Sequence, residues 1–158
     1  MKRRNLLAMG LASAVPMAWS AAPHDGLPAA RDLQAELAAA IKAVQPLVVM
    51  VSLEGCPWCK LARESYLRPM HDKGEVHVVQ VDMRSPQPVR DFDGAMRTHD
   101  ELIRSWKVRA APTLIFFGAQ GRELAPRLVG ASPDFFGGYL DERLEASKRA
   151  VVSMPSRS

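Results

Sequence analysis

The chain contains only two cysteines, Cys56 and Cys59, and they lie in the segment EGCPWCK with Pro57 and Trp58 between them. Two thiols at Cys-x-x-Cys spacing can exchange electrons with a disulfide, or they can supply half of a tetrahedral zinc site. A structural bridge is disfavoured, because a disulfide that closes so short a loop removes little conformational entropy from the unfolded chain. Redox chemistry and metal binding are therefore the two chemistries to weigh.

The residues before the cysteines predict a strand, and those after them predict a helix. LVVMVSL, residues 47–53, is almost continuously apolar and rich in Val, which is typical of a strand buried on both faces of a sheet. Pro57 suits the first turn of a helix. Cys56 is thus expected where the helix dipole and unpaired N–H groups favour the thiolate, the form that attacks disulfides. Cys59, one turn later, is placed to attack the mixed disulfide that Cys56 forms.

Zinc is the weaker alternative. Cys56, Cys59, His71 and His77 follow the spacing C-x2-C-x11-H-x5-H, close to that of a zinc finger. His71 falls at the end of a predicted helix and His77 within the predicted strand 76–81, whereas a finger places both histidines on one helix. A chain with a full-sized core also needs no metal to fold. We therefore favour a redox pair, which carries its two electrons without a metal or organic cofactor.

The periodicity of the whole chain predicts an α/β sandwich whose mixed sheet is parallel at first and is closed by an antiparallel hairpin. About four strands and about four helices are expected, the strands at 47–53, 76–81, 113–117 and 123–129 and the helices at 31–44, 57–71, from about 98, and after 132. Pro126 cannot donate to a ladder and places the last strand at the sheet edge. Residues 82–97 are predicted to be a long functional or mobile loop.

The first twenty residues, MKRRNLLAMGLASAVPMAWS, have the pattern of a signal peptide, with a basic start and an uncharged continuation. Cleavage is predicted between Ser20 and Ala21. Arg3 and Arg4 also leave open a twin-arginine signal, which would export a folded chain. The predicted organisation is then a signal peptide at 1–20, a flexible lead-in at 21–30, one domain at 31–149 and a tail at 150–158.

Export would change how the net charge is read. Three of the 21 basic residues and none of the 17 acidic residues lie in the predicted signal, which leaves 18 basic and 17 acidic residues. A nearly balanced mature chain offers no electrostatic case for binding nucleic acid. Export would also place the cysteines in a compartment, the periplasm, where disulfides form and persist.

Two segments of the sequence resemble the thioredoxin superfamily, across roughly residues 31–146. They are LVVMVSLEGCPWCK and WKVRAAPTLIFFGAQGRELAPRLVGAS. The resemblance implies a thioredoxin fold in which Pro112 is a cis-proline packed against the cysteines, and Ala111 offers its backbone to an extended substrate. Gly130 matches the glycine that follows the last strand in that family. The chain resembles a small exported thioredoxin-like protein of the kind found in bacterial sulfur-oxidation and thiol-redox systems.

Two positions described here, Met50 and Gly55, depart from the family pattern. Thioredoxins carry a buried aspartate six residues before the first cysteine, which assists proton transfer from the second; Met50 occupies that position here. Glu54 is the nearest acid and is the candidate proton-transfer residue. Gly55 replaces the tryptophan that usually precedes the first cysteine.

These patterns predict a periplasmic thiol-disulfide oxidoreductase with Cys56 and Cys59 as catalytic residues and Pro57, Trp58, Ala111 and Pro112 as the docking site. Its expected partners are exported proteins with thiols or disulfides and a membrane redox-recycling partner, and the chain is expected to be a monomer. The alternative is a thioredoxin-fold binding module, a chaperone or adaptor, that uses the apolar surface around Trp58 while the cysteines are incidental.

Overall fold

The structure is a computed structural model and describes residues 26–153. The predicted signal peptide and its cleavage site lie outside the described residues. Among residues 26–153, none of the helices combines the length and the apolar character that a bilayer span requires.

The central sheet is mixed, as the sequence predicts. Its three main strands are β1 (Leu47–Ser52), β2 (His77–Asp82) and β5 (Thr113–Gly118). β1 pairs with β2 in parallel and with β5 in antiparallel orientation, so β1 lies in the middle. All six residues of β1 and all six of β5 are buried. A strand of this kind must be covered on both faces, which explains its continuous apolar sequence.

The sheet edge beyond β5 is formed by two short strands, β6 (Arg122–Glu123) and β7 (Leu128–Val129). Both pair with β5 in antiparallel orientation. The register shifts by two residues between them, because Phe117 lies opposite Glu123 whereas Leu114 lies opposite Leu128. The edge strand predicted at 123–129 is thus interrupted around Pro126, which cannot donate a ladder hydrogen bond.

Helices cover the two faces of the sheet. On one face lie α5 (Phe136–Ser153) and a continuous helical stretch made of α2 (Pro57–Leu61), a π-helical segment (Ala62–Leu67) and α3 (Arg68–Asp72). On the other face lie α1 (Leu33–Lys42) and α4 (His99–Ser105). Alternate strand residues point to each side, so the apolar interior is divided into two clusters by the sheet.

The segment predicted as a long loop at 82–97 is instead built around a second, two-stranded sheet, and the prediction is wrong there. β3 (Pro88–Arg90) and β4 (Met96–Thr98) pair in antiparallel orientation. Asp91 caps the intervening turn, since its carboxylate accepts hydrogen bonds from Phe92 N and from Arg97 Nε. Asp91, Asp93 and Gly94, which lie between the two strands, build this turn.

The N-terminal segment also differs from the flexible lead-in predicted at 21–30. Ala30 N donates to Gln80 O at 2.8 Å, and Gln80 N donates to Pro28 O at 2.8 Å. The side chain of Leu27 is buried in the core cluster beneath α5. Pairing with the outer edge of β2 and this apolar contact order the described part of the lead-in. At the other end, α5 continues to Ser153, past the predicted start of the tail at 150.

Candidate active site

Cys56 lies where β1 gives way to α2. Leu53 O accepts a hydrogen bond from Cys56 N at 3.2 Å, and Gly55 adopts φ +72°, a backbone conformation that other residues rarely tolerate. Cys56 is the N-cap of α2, with Pro57 in the first turn. The tight turn at Gly55 thus places Cys56 at the N-terminal end of α2. Gly55 stands where thioredoxins usually carry a tryptophan, so no bulky side chain precedes Cys56.

The two cysteines form a disulfide, and they differ in exposure. Their Cα atoms are 5.2 Å apart. Cys59 is fully buried, at 0% exposure, whereas Cys56 is partly exposed at the surface. Cys59 N donates a hydrogen bond to Cys56 Sγ at 3.1 Å. This N–H and the N-terminal end of the helix would stabilise negative charge on Cys56 once the disulfide is reduced.

The Ala111–Pro112 segment lies against the disulfide. Its peptide bond is cis, as the resemblance to thioredoxins implies. Cys56 Sγ is 3.8 Å from Ala111 O; because a disulfide sulfur carries no proton, this approach is a van der Waals contact. Pro112 is buried, and its carbonyl accepts a hydrogen bond from Gly130 N at 2.8 Å. Gly130 has φ +82°, which explains a glycine at that position.

Exposed apolar side chains lie in the segments that contribute to this site. Trp58, between the cysteines, is 51% exposed, and Pro57 is also exposed. Val129, next to Gly130, is 60% exposed, and Phe135, just before α5, is 64% exposed. Single exposed apolar residues are ordinary, but these three large ones come from segments that meet near the disulfide.

Met50 and Glu54 differ sharply in environment. Met50 is fully buried in the same apolar cluster as Cys59, beneath the helix that starts at Cys56. Glu54 is exposed, in the turn between β1 and α2. It lines a cavity together with Cys56, and buried Cys59 is not among the residues that line this cavity. A role of Glu54 in proton transfer therefore stays a prediction.

The cavity that Glu54 shares with Cys56 has a volume of about 1250 Å³. Its other walls come from α2 and from the end of β2 and the turn that follows, and include Lys60, Gln80 and Asp82. Sequence reasoning did not single out these polar residues. One signal could have found them: the carboxyl ends of the two parallel strands meet at one sheet edge, which is where α/β proteins place their sites.

The two histidines considered as zinc ligands do not join the cysteines. His77 Nε2 lies 2.7 Å from Glu36 Oε2, on the side of the sheet that α1 covers. His71 lies in α3, and the cysteine sulfurs are bonded to each other. Within residues 26–153, no group of three or more His, Cys, Asp or Glu side chains is arranged to hold a metal ion.

The side chains whose pKa values are shifted lie in the small sheet, at the start of α4 and at the edge of the main sheet, and not at the disulfide. The pKa of Asp93 is lowered by a hydrogen bond from Ala95 N in the turn before β4. The pKa of Glu101 is lowered by a hydrogen bond from Thr98 N at the start of α4. The pKa of Arg127 is raised by its hydrogen bonds to Glu123, which tie the edge of the sheet together. These groups hold local structure in place.

Comparison with known proteins identifies the family. A family model described as a thioredoxin-like domain matches residues 33–141. Among solved structures, the chain is similar to a thioredoxin h from poplar, with 18% identity, 73% of this chain and 96% of that chain covered, and a TM-score of 0.50. It is also similar to thioredoxin f from spinach chloroplast, with 16% identity, coverage of 77% and 96%, and a TM-score of 0.50. Among the curated proteins, none matches this sequence.

The structural similarities show the fold, and the family match covers more than two thirds of the chain. The fold places a disulfide-forming Cys-x-x-Cys pair at the start of a helix, with a cis-proline beside it. The chain belongs to the thioredoxin-like family and is a thiol-disulfide oxidoreductase.

Proposed function

We propose that this protein is exported to the periplasm and exchanges a dithiol for a disulfide with protein substrates, with Cys56 as the attacking residue and Cys59 as the resolving residue. The observation that carries this proposal is the difference in exposure of the two cysteines. Cys56 is partly exposed, whereas Cys59 is fully buried. A substrate disulfide can reach only the exposed sulfur, so Cys59 can act only on the mixed disulfide that Cys56 has formed.

The docking site for a substrate chain is proposed at Ala111 and Pro112, with Pro57 and Trp58 on the adjacent helix. Cys56 Sγ contacts the Ala111 carbonyl, so an extended chain held there would bring its own sulfur close to Cys56. The exposed indole of Trp58 offers apolar area at low entropic cost, as aromatic side chains do at interfaces. No metal or organic cofactor is required, because the dithiol supplies both electrons.

Trapping of the mixed disulfide tests the two cysteine roles. The pre-reduced Cys59→Ser variant should form a stable covalent adduct with insulin, since Cys56 attacks and nothing resolves the product. The matched Cys56→Ser variant should form none, because buried Cys59 cannot reach the substrate. Adducts would be counted by non-reducing gel electrophoresis and mass spectrometry. Equal trapping by both variants would contradict the assignment.

Export is tested separately from chemistry. The N-terminal basic and apolar segment supports a signal peptide cut before Ala21. Protein recovered from the periplasmic fraction of a bacterial host should begin at Ala21 by mass spectrometry. Recovery of the uncut chain from the cytoplasm alone would contradict export. Proposed partners are exported proteins with thiols or disulfides and a membrane donor or acceptor of electrons, with the chain acting as a monomer and without nucleic acid.

The exposed apolar side chains favour a second candidate function, the holding of unfolded chains. Trp58, Val129 and Phe135 are each at least half exposed and lie in segments near the disulfide. A Cys56→Ser variant separates this candidate from the first. The binding module is favoured if the wild type suppresses aggregation but does not reduce insulin. The oxidoreductase is supported if the wild type reduces insulin and the Cys56→Ser variant does not.

A further inference from the structure

The segment from Ala110 to Pro112 is held by one hydrogen bond at each end. At one end, Pro112 O accepts a hydrogen bond from Gly130 N at 2.8 Å, just after the short strand β7. At the other end, Ala110 O accepts a hydrogen bond from Thr113 Oγ1 at 2.8 Å. The two bonds lie on either side of Ala111, the residue that contacts the disulfide. They therefore set the position of that residue from both directions.

The side chain of Thr113 provides a rigid donor for the second of these bonds. Thr113 is the first residue of β5, and it lies opposite Val51 on β1 and Val129 on β7. Its side chain is buried, and a β-branched side chain has few accessible rotamers. The hydroxyl group consequently reaches Ala110 O from a fixed position in the central sheet.

The carbonyl of Ala110 depends on this hydroxyl for its attachment to the sheet. Ala110 is exposed and precedes β5, so it takes no part in the strand pairing. Within residues 26–153, no backbone N–H outside the strand ladders donates to Ala110 O. Pro112 has no N–H that could do so. Removal of the Thr113 hydroxyl would therefore free this peptide group to reorient towards water.

Between the two hydrogen bonds, Ala111 presents free backbone groups beside the sulfur of Cys56. Ala111 is partly exposed, and no backbone group in the described part of the chain pairs with its N–H or its carbonyl oxygen. Peptide groups in this state bind water or an extended chain that pairs with them in the manner of an added β-strand. Their direction determines where a bound chain places its own sulfur relative to Cys56.

The exchange reaction is sensitive to that placement. The Cys56 thiolate attacks one sulfur of the substrate disulfide and the other sulfur leaves, and Cys59 then attacks Cys56 Sγ and releases the second sulfur. Two electrons pass from the protein dithiol to the substrate disulfide, and the two thiol protons of the protein pass through solvent to the leaving sulfurs. A displacement of the reacting atoms by about 1 Å can slow such a step roughly a hundredfold.

We propose that Thr113 is a positioning residue for protein substrates. Its hydroxyl fixes the Ala110 peptide group and thereby orients the backbone of Ala111 towards a bound substrate chain. This inference rests on the proposed function, which it deepens by naming a residue that favours polypeptide disulfides over small ones. A small disulfide without peptide groups reacts at Cys56 without pairing with Ala111, so its reaction should not depend on the hydroxyl.

The test compares two disulfides in single turnovers of the pre-reduced full-length protein, followed by tryptophan fluorescence. Insulin supplies a polypeptide disulfide, and bis(2-hydroxyethyl) disulfide supplies one without peptide groups. The Thr113→Val variant keeps the shape of the side chain and removes the hydroxyl. Its rate constant with insulin should fall roughly threefold to tenfold, as expected for the loss of one hydrogen bond. With the small disulfide the change should be less than about twofold, below the effect of one hydrogen bond.

Two further variants separate positioning from a general effect on the fold. Thr113→Ser keeps the hydroxyl and should restore the rate constant with insulin to within about twofold of the wild type. Ser105→Ala is the matched control, because it removes another hydrogen bond from a hydroxyl to the carbonyl three residues earlier, from Ser105 Oγ to Leu102 O at 2.7 Å in α4. It should leave both rate constants unchanged.

Three results would overturn the inference. They are an unchanged rate with insulin in Thr113→Val, equal slowing of both disulfides in that variant, and failure of Thr113→Ser to restore the rate with insulin. Each of these leaves the proposed function standing if the wild type reacts with insulin and Cys56→Ser does not. If the wild type reacts with neither disulfide, the proposed function is overturned together with the inference.

Discussion

At the scale of single residues, the two cysteines occupy different environments. Cys56 is the N-cap of α2, so its sulfur faces the unpaired N–H groups of the helix and accepts a hydrogen bond from Cys59 N. Cys59 lies one turn further along the same helix and is buried in the apolar core. Sequence spacing predicted both positions, because a strand that ends just before a proline at the first helical turn leaves little choice of geometry.

Met50 occupies the position at which thioredoxins carry a buried aspartate. The side chain is fully buried beside Cys59 in an apolar cluster, with Gln80 opposite it on β2 and Leu114 opposite it on β5. A carboxylate introduced here would be desolvated without a charged partner. The core around Cys59 is therefore built for packing and not for ionisation.

The Met50→Asp substitution should consequently destabilise the fold. We expect a loss of at least about 3 kcal/mol in the free energy of unfolding, measured by urea denaturation at neutral pH. The volume-conserving control Met50→Leu should cost less than about 1.5 kcal/mol. If the aspartate variant were as stable as the wild type, the environment described for Met50 would be wrong.

The polar residues of the cavity are not identified by their spacing along the chain. Arg63, Gln80 and Asp82 are ordinary polar residues when read along the chain, and nothing in their spacing suggests chemistry. They come together because β2 lies beside β1 in parallel, and because the π-helical segment packs over the same face. Assembling such a site requires the strand order, which periodicity leaves open.

At the scale of elements, the clearest difference between expectation and structure is the segment 82–97. Its prolines, aspartates and glycine predicted a loop, whereas it folds back as β3 and β4. Strands of three residues are too short to show an alternating pattern, so their sequence reads as coil. The helix expected from about 98 starts there, in a capping box in which Thr98 Oγ1 accepts from Glu101 N and Thr98 N donates to the Glu101 carboxylate.

His99 connects three elements at the end of β2. It is fully buried, its Nδ1 accepts a hydrogen bond from Asp82 N at 3.1 Å, and its Nε2 donates to Ala30 O at 2.8 Å. The acceptor role of Nδ1 requires a neutral ring with its proton on Nε2. This side chain thus joins α4 to β2 and to the N-terminal segment.

Replacing His99 by leucine should leave two buried backbone groups without partners. We expect a loss of roughly 2–6 kcal/mol in the free energy of unfolding by urea denaturation, at about 1–3 kcal/mol for each of the two unpaired groups. His77→Leu is the control, because the partly exposed pair of His77 with Glu36 should contribute no more than about 1 kcal/mol. Similar losses in the two variants would argue against the bridging role of His99.

The capping box of α4 predicts a pH dependence at low pH. The pKa of Glu101 is lowered from its ordinary value of 4.5, mainly by the hydrogen bond from Thr98 N. A lowered folded-state pKa means that this contribution to stability is fully present above pH 4.5 and is lost as pH falls through the folded pKa. The stability advantage of the wild type over Glu101→Gln should therefore shrink on acidification.

NMR titration of the Glu101 carboxyl checks the cause. Its pKa should lie below 4.5 in the wild type and should move back towards 4.5 in Thr98→Ala. Asp93, whose pKa is lowered mainly by Ala95 N, is the internal control and should titrate alike in both proteins. No upward movement of the Glu101 pKa would show that the capping box does not stabilise its charge.

At the scale of the whole molecule, the sheet divides the interior and carries the active site at one edge. One apolar cluster holds Cys59 beneath α5, and the other packs α1 and α4 against the opposite face. The sequence predicted this layering, because a strand such as β1 with apolar residues at every position needs cover on both sides. It could not show that the described end of the lead-in, with Leu27, packs into the first cluster.

The central claim is that Cys56 and Cys59 form a redox couple, and the most direct test is their equilibrium with glutathione buffers, followed by Trp58 fluorescence. The account predicts one reversible two-electron transition, with a midpoint between roughly −270 mV, as in a reducing thioredoxin, and roughly −120 mV, as in a strong oxidant. A midpoint near either end would also give the direction of electron flow. Absence of any redox-dependent transition in the folded protein would contradict the account.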